Sequence, residues 1–386
     1  MNKKYKVVRL VKICNFAKNF FMKKIISVVG ARPNFIKIAP IHKAFQRYSD
    51  NITHLICHTG QHFDEKMSKV FFDELQMPKP NFYLGIGGGS HAEQTARIMV
   101  EFEKILLEEK PDLVIVPGDV NSTIAASLVA SKLHIPIAHV ESGLRSFDRK
   151  MPEEINRVLT DHISEFLFVT EKSGIENLKI EGIDSTKVFF TGNVMIDSLV
   201  NFLPHINDSK ILDELGVNAG NYVLATFHRP SNVDDESNLS NLIDAVNSIS
   251  LERTIVFPIH PRTMNNLKKY NLANKLNSNI IVLGPIGYID FLSLTKNAEL
   301  VITDSGGIQE ETTFLGVQCI TVRDNTERPS TSEIGTNHMI GTDFDKVVIS
   351  AKSILSGKVK EGKIPELWDG KASHRITDII YNTLKS

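Results

Sequence analysis

Cysteine is scarce in this chain. The 386 residues hold three, Cys14, Cys57 and Cys319, far apart and with no C-x-x-C pair. That argues against a disulfide framework or a structural zinc site and suits a reducing cytoplasm. Long apolar runs are missing too, and nothing approaches the roughly twenty residues that a membrane-spanning helix needs. Net charge is nearly absent: 44 Lys and Arg against 45 Asp and Glu leave −1. No overall field therefore draws the chain to nucleic acid or to a membrane. Short-period repeats and low-complexity tracts are also lacking, which excludes a solenoid or a fibrous protein.

What is present is apolar content. Hydrophobic residues make up 42% and charged residues 23%, the balance of a globular protein rather than a disordered one. The length suffices for two domains. Residues 1–21 stand apart, because Lys3, Lys4, Lys6, Arg9, Lys12 and Lys18 interrupt short apolar pieces. A secretory signal needs a continuous apolar core. This stretch reads as an upstream-start extension or a flexible basic tail, with a basic membrane-surface helix as the alternative.

From Met22 onward, short apolar runs alternate with amphipathic stretches. Strands are expected at Ile25–Val29, His54–His58, Leu113–Val116, Ile137–Val140, Phe166–Val169 and Val188–Phe190. Helices such as Phe35–Tyr48, Asp64–Leu75, Glu93–Glu109 and Ser122–Leu133 separate them. The second half repeats the plan with strands at Val223–Phe227, Ile255–Ile259, Ile280–Leu283, Leu300–Thr303 and Cys319–Val322. The alternation predicts parallel sheets covered by helices on both faces. Eleven strands exceed one comfortable open sheet, so the expected fold class is α/β, with two Rossmann-like, doubly wound parallel-sheet domains facing a cleft. We place them at 22–193 and 194–370, with the crossing in the weakly patterned stretch Gly192–Asn221. The last helix, within 371–386, is expected to pack back and complete the first domain.

In doubly wound sheets ligands bind beyond the carboxyl ends of the strands. Those ends carry Gly30-Ala31-Arg32-Pro33, with Lys37 a turn later, then Thr59-Gly60-Gln61-His62, Gly118-Asp119 and Glu141-Ser142-Gly143. The second half carries His228-Arg229-Pro230, His260-Pro261-Arg262, Thr303-Asp304-Ser305-Gly306-Gly307 and Arg323 to Arg328. A strand running into Ser305-Gly306-Gly307 at a helix start suits an anion, because the glycines expose backbone N–H groups and the helix end is partly positive. Glu311, one turn on, suits sugar hydroxyls. The first half supplies carboxylates: Asp119, Glu141 and Glu153 or Glu154. The second supplies cations and backbone donors. That division suits a ligand with a diphosphate end and a reacting sugar end, where carboxylates move protons or stabilise positive charge at an anomeric carbon. Each residue also has a plainer reading. Ser305 and Asp119 suit helix caps, Glu141 suits a salt bridge to Arg145, and Glu153-Glu154 suit a helix start after Pro152. His260 suits a turn before Pro261.

Other motifs fail on inspection. Gly85-Ile86-Gly87-Gly88-Gly89 has Ser90 where a dinucleotide fingerprint needs its third glycine, and a flexible loop is the better reading. No Walker A sequence occurs. His139-Val140-Glu141 lacks the P-C-x-x-C partner of a zinc deaminase,. Gly118-Asp119 lacks the Asp-x-His of a two-metal phosphoesterase, so no obligatory metal is expected.

Taken together, the loops resemble one family, the UDP-N-acetylglucosamine 2-epimerases of the bacterial, non-hydrolysing type. The matching segments are Gly30 to Pro33, Thr59 to His62, Gly118-Asp119, His139 to Arg145, Pro152 to Arg157, His228-Arg229, Thr303 to Glu311 and Arg323 to Pro329. The resemblance implies a GT-B-like architecture, a homodimer, no cofactor, and no nucleic-acid or membrane partner. It implies that UDP-N-acetylglucosamine and UDP-N-acetylmannosamine are interconverted through elimination of UDP to a 2-acetamidoglucal. It further implies Asp119, Glu141, Glu153 and His228 as catalytic. For UDP and the sugar it implies Arg32, Lys37, Arg157, His228, Phe291, Ser305, Gly306, Gly307, Glu311 and Arg328, although Phe291 equally suits a core position. The neighbourhood of Gln61, His62 and His260 would form a regulatory site for a second, activating UDP-N-acetylglucosamine.

The pattern departs from the family in two places. Pro230-Ser231-Asn232 follows His228-Arg229 where Arg-Glu-Asn is common, and Phe63-Asp64-Glu65-Lys66-Met67 follows Gln61-His62 where family members often carry a basic residue. The second departure puts allosteric activation in question, and its Phe63-Asp64 form resembles epimerases of a diacetamido-uronic-acid nucleotide. Glu327-Arg328-Pro329 fits the plain N-acetylglucosamine group better. The rival readings are a hydrolysing epimerase, a glycosyltransferase of the same fold and a non-catalytic nucleotide-sugar sensor.

Overall fold

The computed structural model describes residues 22–60 and 77–385. The predicted basic tail, the predicted helix Asp64–Leu75 and the candidate residues Gln61 and His62 lie outside the described residues. Strands form where the apolar runs stand. In the first half they are β1 (Lys23–Val29), β2 (Ile52–His58), β3 (Phe82–Tyr83), β4 (Leu113–Pro117), β5 (Ile137–Ser142), β6 (Phe166–Val169) and β7 (Val188–Phe190). The second half has β8 (Tyr222–Thr226), β9 (Thr254–Pro258), β10 (Ile280–Leu283), β11 (Leu300–Thr303), β12 (Gln318–Thr321) and β13 (Asn337–Met339). They form a seven-stranded sheet in the order β3-β2-β1-β4-β5-β6-β7 and a six-stranded sheet in the order β10-β9-β8-β11-β12-β13. Every pairing is parallel. Two edge strands, β3 and β13, go beyond the sequence reading. They have two and three residues, too few to mark an apolar run.

Both faces of each sheet are buried, which is why the strands read as continuous apolar runs rather than alternating ones. Successive residues feed opposite cores. Ile25 and Val29 enter one core with the helices Arg32–Phe45, Val194–Ile206 and Ala372–Lys385, while Ile26 and Val28 enter another with Phe102, Leu106, Ala126 and Val129. The second sheet splits likewise, with Val223 and Ala225 on one side and Tyr222 and Leu224 on the other.

The stretch between β7 and β8 is more ordered than its pattern suggests. It holds helices Val194–Ile206, with Pro204 inside, and Ile211–Leu215. Val194, Met195, Ile196, Leu199 and Phe202 are all buried, so apolar residues surround the helix and leave no single stripe to read. This helix touches both halves. It packs on Arg32–Phe45, and Phe202 meets Tyr288 edge-on at 5.4 Å between ring centroids. The last helix returns to the first sheet and is capped from afar. The buried Asp197 carboxylate accepts from the N–H groups of Ala372 (3.0 Å) and Ser373 (2.6 Å).

The strand order reverses between β1 and β4 and between β8 and β11. Loops leaving neighbouring strands diverge there and open a crevice at the carboxyl ends. Each sheet therefore presents one crevice, and the chemistry-bearing loops leave from its rim. For the packing, Asp197→Ala should cost about 1–2 kcal/mol. A lowered urea midpoint, with faster amide exchange confined mainly to 372–385, would report it.

Candidate active site

The first wall is built on β4 and β5. Past Pro117 the chain turns at Gly118 with φ of +66°. A Cβ there would stand 2.9 Å from Lys37 Nζ, so a larger residue would be strained at this φ and would press on the lysine. The turn delivers Asp119, whose Oδ2 lies 2.5 Å from Arg157 Nη2. The following helix Asn121–Lys132 has Val120 at its N-cap and no side-chain cap, so Asp119 is not spent as one. Burial pushes the Asp119 carboxyl up, but the Arg157 and Lys37 cations outweigh it and hold it below its usual range.

Glu141 sits in the left-handed region, with φ of +74°, where the pairing of β5 with β6 slips between Val140 and Ser142. Such a conformation costs a non-glycine residue on the order of 1–3 kcal/mol and persists only when its surroundings enforce it. A bulge re-aims the side chain. Here the carboxylate forms an ion pair with Lys37 and accepts from Arg328 Nη2 at 2.5 Å. Arg145 does not pair with it, because it is engaged by Glu181 (2.6 Å) and Asp161 (2.8 Å). Burial lowers Lys37 to about 8.

The helix Pro152–His162 brings the remaining acids. Glu154 is buried and structural. It accepts from the backbone N–H groups of Ser146 and Phe147, both at 2.9 Å, and pairs with Arg157 at 3.0 Å. Glu153 is half-buried and its field reaches Arg229.

The second wall is organised by Asp304, which is 0% exposed. It accepts from the backbone N–H groups of His228 (3.1 Å) and Arg229 (2.9 Å) and from Asn232 Nδ2 (3.0 Å). It also faces His228 Nδ1 at 3.1 Å. Burial raises its carboxyl, but the His228 hydrogen bond and charge outweigh it and leave it depressed. The His228 side chain stays 41% exposed, so the ring is held on one edge and open on the other. His260 lies 5.5 Å from it, centroid to centroid. As its position suggested, His260 shapes a turn. It caps the helix Pro261–Lys269 by accepting from the Arg262 N–H.

Ser305 occupies the N-cap position of the helix Gly306–Leu315 without a side-chain cap bond. The N–H groups opening a helix have no intrahelical partner, and Ser305, Gly306 and Gly307 are half-buried. A Cβ on Gly306 would stand 2.6 Å from Arg328 Nη1, so this glycine makes room for the guanidinium. Arg328 binds Glu310 Oε1 through Nε at 2.8 Å and Glu327 Oε2 through Nη1 at 3.2 Å, besides Glu141 across the cleft. Further along the same helix Glu311 accepts from the Tyr288 hydroxyl at 3.0 Å, and burial pushes its carboxyl up to about 7. Phe291 is partly buried against the core that includes Tyr222 and Leu224. Arg32 opens its helix, exposed.

Asp119, Glu141, Lys37, Arg157 and Arg328 are joined in one ion network through Glu327, which lies 3.2 Å from Arg328 Nη1 and 3.8 Å from Arg157 Nη2. His228, Arg229 and the Ser305 loop are joined through Asp304. Glu311 bonds instead to Tyr288, and Phe291 packs against the core. Four residues escaped the sequence reading as functional candidates: Asp304, Asp161, Glu310 and Glu327. Asp304 carried a usable signal, since it ends a buried strand as Glu141 does. Glu310 and Glu327 were visible only as neighbours of candidates. Asp161, in the last turn of an amphipathic helix, carried none.

The sequence profile of the UDP-N-acetylglucosamine 2-epimerases matches residues 43–381. A crystal structure of Methanocaldococcus jannaschii UDP-GlcNAc 2-epimerase in complex with UDP-GlcNAc and UDP is similar at 46% identity, with a TM-score of 0.87 over 93% of this chain and 99% of that one. A UDP-2,3-diacetamido-2,3-dideoxy-D-glucuronate 2-epimerase of Pseudomonas aeruginosa is 41% identical over 92% of this chain and 99% of its own length. A Rickettsia africae glycosyltransferase, 13% identical with a TM-score of 0.52 over 94% of this chain and 98% of that one, shares the fold. With its two facing sheets and a profile match along most of its length, this chain belongs to the UDP-N-acetylglucosamine 2-epimerase family.

Proposed function

We propose that the protein interconverts UDP-N-acetylglucosamine and UDP-N-acetylmannosamine without hydrolysis. One observation carries the reading. Asp119 and Glu141 stand on one wall, and Glu141 is held by Lys37 and Arg328, two cations that a diphosphate competes for. The C2 proton of the sugar is not acidic, because no carbonyl is conjugated to it. The C1–O bond to the diphosphate therefore weakens first, and charge separates into an oxocarbenium-like sugar and UDP. A carboxylate then takes the C2 proton, the C1–C2 double bond forms and UDP leaves. Protonation of C2 on the other face, with return of UDP to C1, completes the inversion.

In this scheme Arg328, Lys37, Arg32 and the N–H groups of Ser305, Gly306 and Gly307 hold the diphosphate. Their engagement frees Glu141 to act on the sugar together with Asp119 and Glu153, while Arg157 keeps Asp119 ionised. His228, fixed at Nδ1 by Asp304, offers Nε2 to the departing diphosphate. Glu311 takes the ribose hydroxyls, and Phe291 lies toward the base. The relationship to the Pseudomonas aeruginosa protein favours a second reading, a diacetamido-uronate nucleotide as substrate.

Incubation with each nucleotide, followed by proton NMR, tests the proposal. UDP-N-acetylmannosamine should appear at equilibrium with UDP-N-acetylglucosamine. Free N-acetylmannosamine, or turnover of the uronate alone, would contradict it. In the same assay Glu141→Gln and Asp119→Asn should each lose about 10²–10⁴-fold in kcat with UDP affinity largely kept. Glu311 supplies a pH signature. Its carboxyl is raised to about 7 by burial, so it is neutral below that pH and ionised above. UDP affinity measured by calorimetry should rise between pH 6 and 8 by more in the wild type than in Glu311→Gln.

A further inference from the structure

Behind the carboxylate wall lies an ionisable pair that the proposed chemistry does not use. Asp161 and His139 are both 0% exposed, so no ligand touches them. Asp161 Oδ1 is 2.6 Å from His139 Nδ1, and Asp161 Oδ2 accepts from the Gly143 N–H at 3.0 Å and lies 2.8 Å from Arg145 Nη1. His139 Nε2 is in turn 2.8 Å from the Gly118 carbonyl oxygen. The ring thus bridges the Asp161 carboxylate to the Gly118 carbonyl oxygen. Gly118 immediately precedes Asp119, and His139 and Gly143 bracket Glu141 two residues away on each side. Gly118, Glu141 and Gly143 all have positive φ, at +66°, +74° and +79°. A single buried carboxylate therefore ties down the backbone of both loops where they are most contorted.

We propose that Asp161 is a positioning residue that, through His139 and Gly143, sets the placement of both Asp119 and Glu141. The proposal rests on the assignment of those two carboxylates to the proton transfers. Removing the brace leaves the fold and the second wall intact but lets the two loops relax, and a shift near 1 Å at a reacting group costs about 10²-fold.

The test is steady-state kinetics and UDP calorimetry on the full chain with Asp161→Asn, Glu141→Gln and the double variant. Asparagine keeps the shape but turns an N–H₂ toward a donor. Asp161→Asn should lower kcat by about 10²-fold while KM and the UDP Kd change by less than about threefold. In the Glu141→Gln background it should add clearly less than its loss in the wild type, because one of the two groups it positions is already gone. His139→Gln, which leaves Asp161 bound to Gly143 and Arg145, should lower kcat at least about tenfold with UDP affinity kept, and it decides the matter if Asp161→Asn does not fold. The brace is overturned by unchanged kcat in Asp161→Asn or His139→Gln, by a full additional loss in the Glu141→Gln background, or by loss of UDP binding in step with turnover. Normal turnover of Glu141→Gln alone would instead overturn the assignment on which the brace rests.

Discussion

The Arg328 guanidinium is the junction on which the cleft depends. It stands in the second half, before the helix Pro329–Glu333, is held there by Glu310 and Glu327, and reaches Glu141 of the first sheet at 2.5 Å. Buried ion pairs are poor sources of stability, since removing charge from water costs about as much as the pairing returns. A cluster of this kind is better understood as a site kept ready. A planar guanidinium matches phosphate as well as it matches carboxylate, so in the proposed reaction a diphosphate would replace Glu141 as its partner rather than add to it. On the proposed function, the same exchange would free the position beside Glu141 as the sugar arrives. Gly306 belongs to this junction too, because a side chain there would occupy the place of Arg328.

Around that junction the two walls divide the labour. The first wall stores strain at Glu141 and confines Lys37 beneath the Gly118 turn, which holds acids and a base of altered strength close together. The second wall is built from backbone donors and from Asp304, which fixes the His228 loop by accepting from two successive backbone N–H groups. Glu311, proposed to take the ribose hydroxyls, is tied to the core: Tyr288 donates to it and packs on Phe202 of the helix that touches both halves.

The sequence made the architecture legible because parallel strands buried on both faces read as uninterrupted apolar runs, and because strand ends in such sheets are where ligands bind. Glu141 stood out for ending a buried strand without a capping role, and its conformation explains the anomaly. The misses have physical causes. β3 and β13 are too short to leave a pattern, and the helix Val194–Ile206 is buried on too many sides to show a stripe. Asp304 and Asp161 act through backbone hydrogen bonds whose partners lie 75 or 76 and 18 positions away. No local spacing reports such contacts. The pairing of Arg145 with Glu181 and Asp161, rather than with Glu141, likewise needed the third dimension.

The central claim is that the carboxylates of one wall exchange the C2 proton while the other wall holds the departing diphosphate. The most direct test is turnover of UDP-N-acetylglucosamine in deuterated water, with C2 followed by NMR. Deuterium should enter C2 of both epimers as they equilibrate, with the UDP moiety unchanged. Epimers that equilibrate while keeping their original C2 proton would contradict the account.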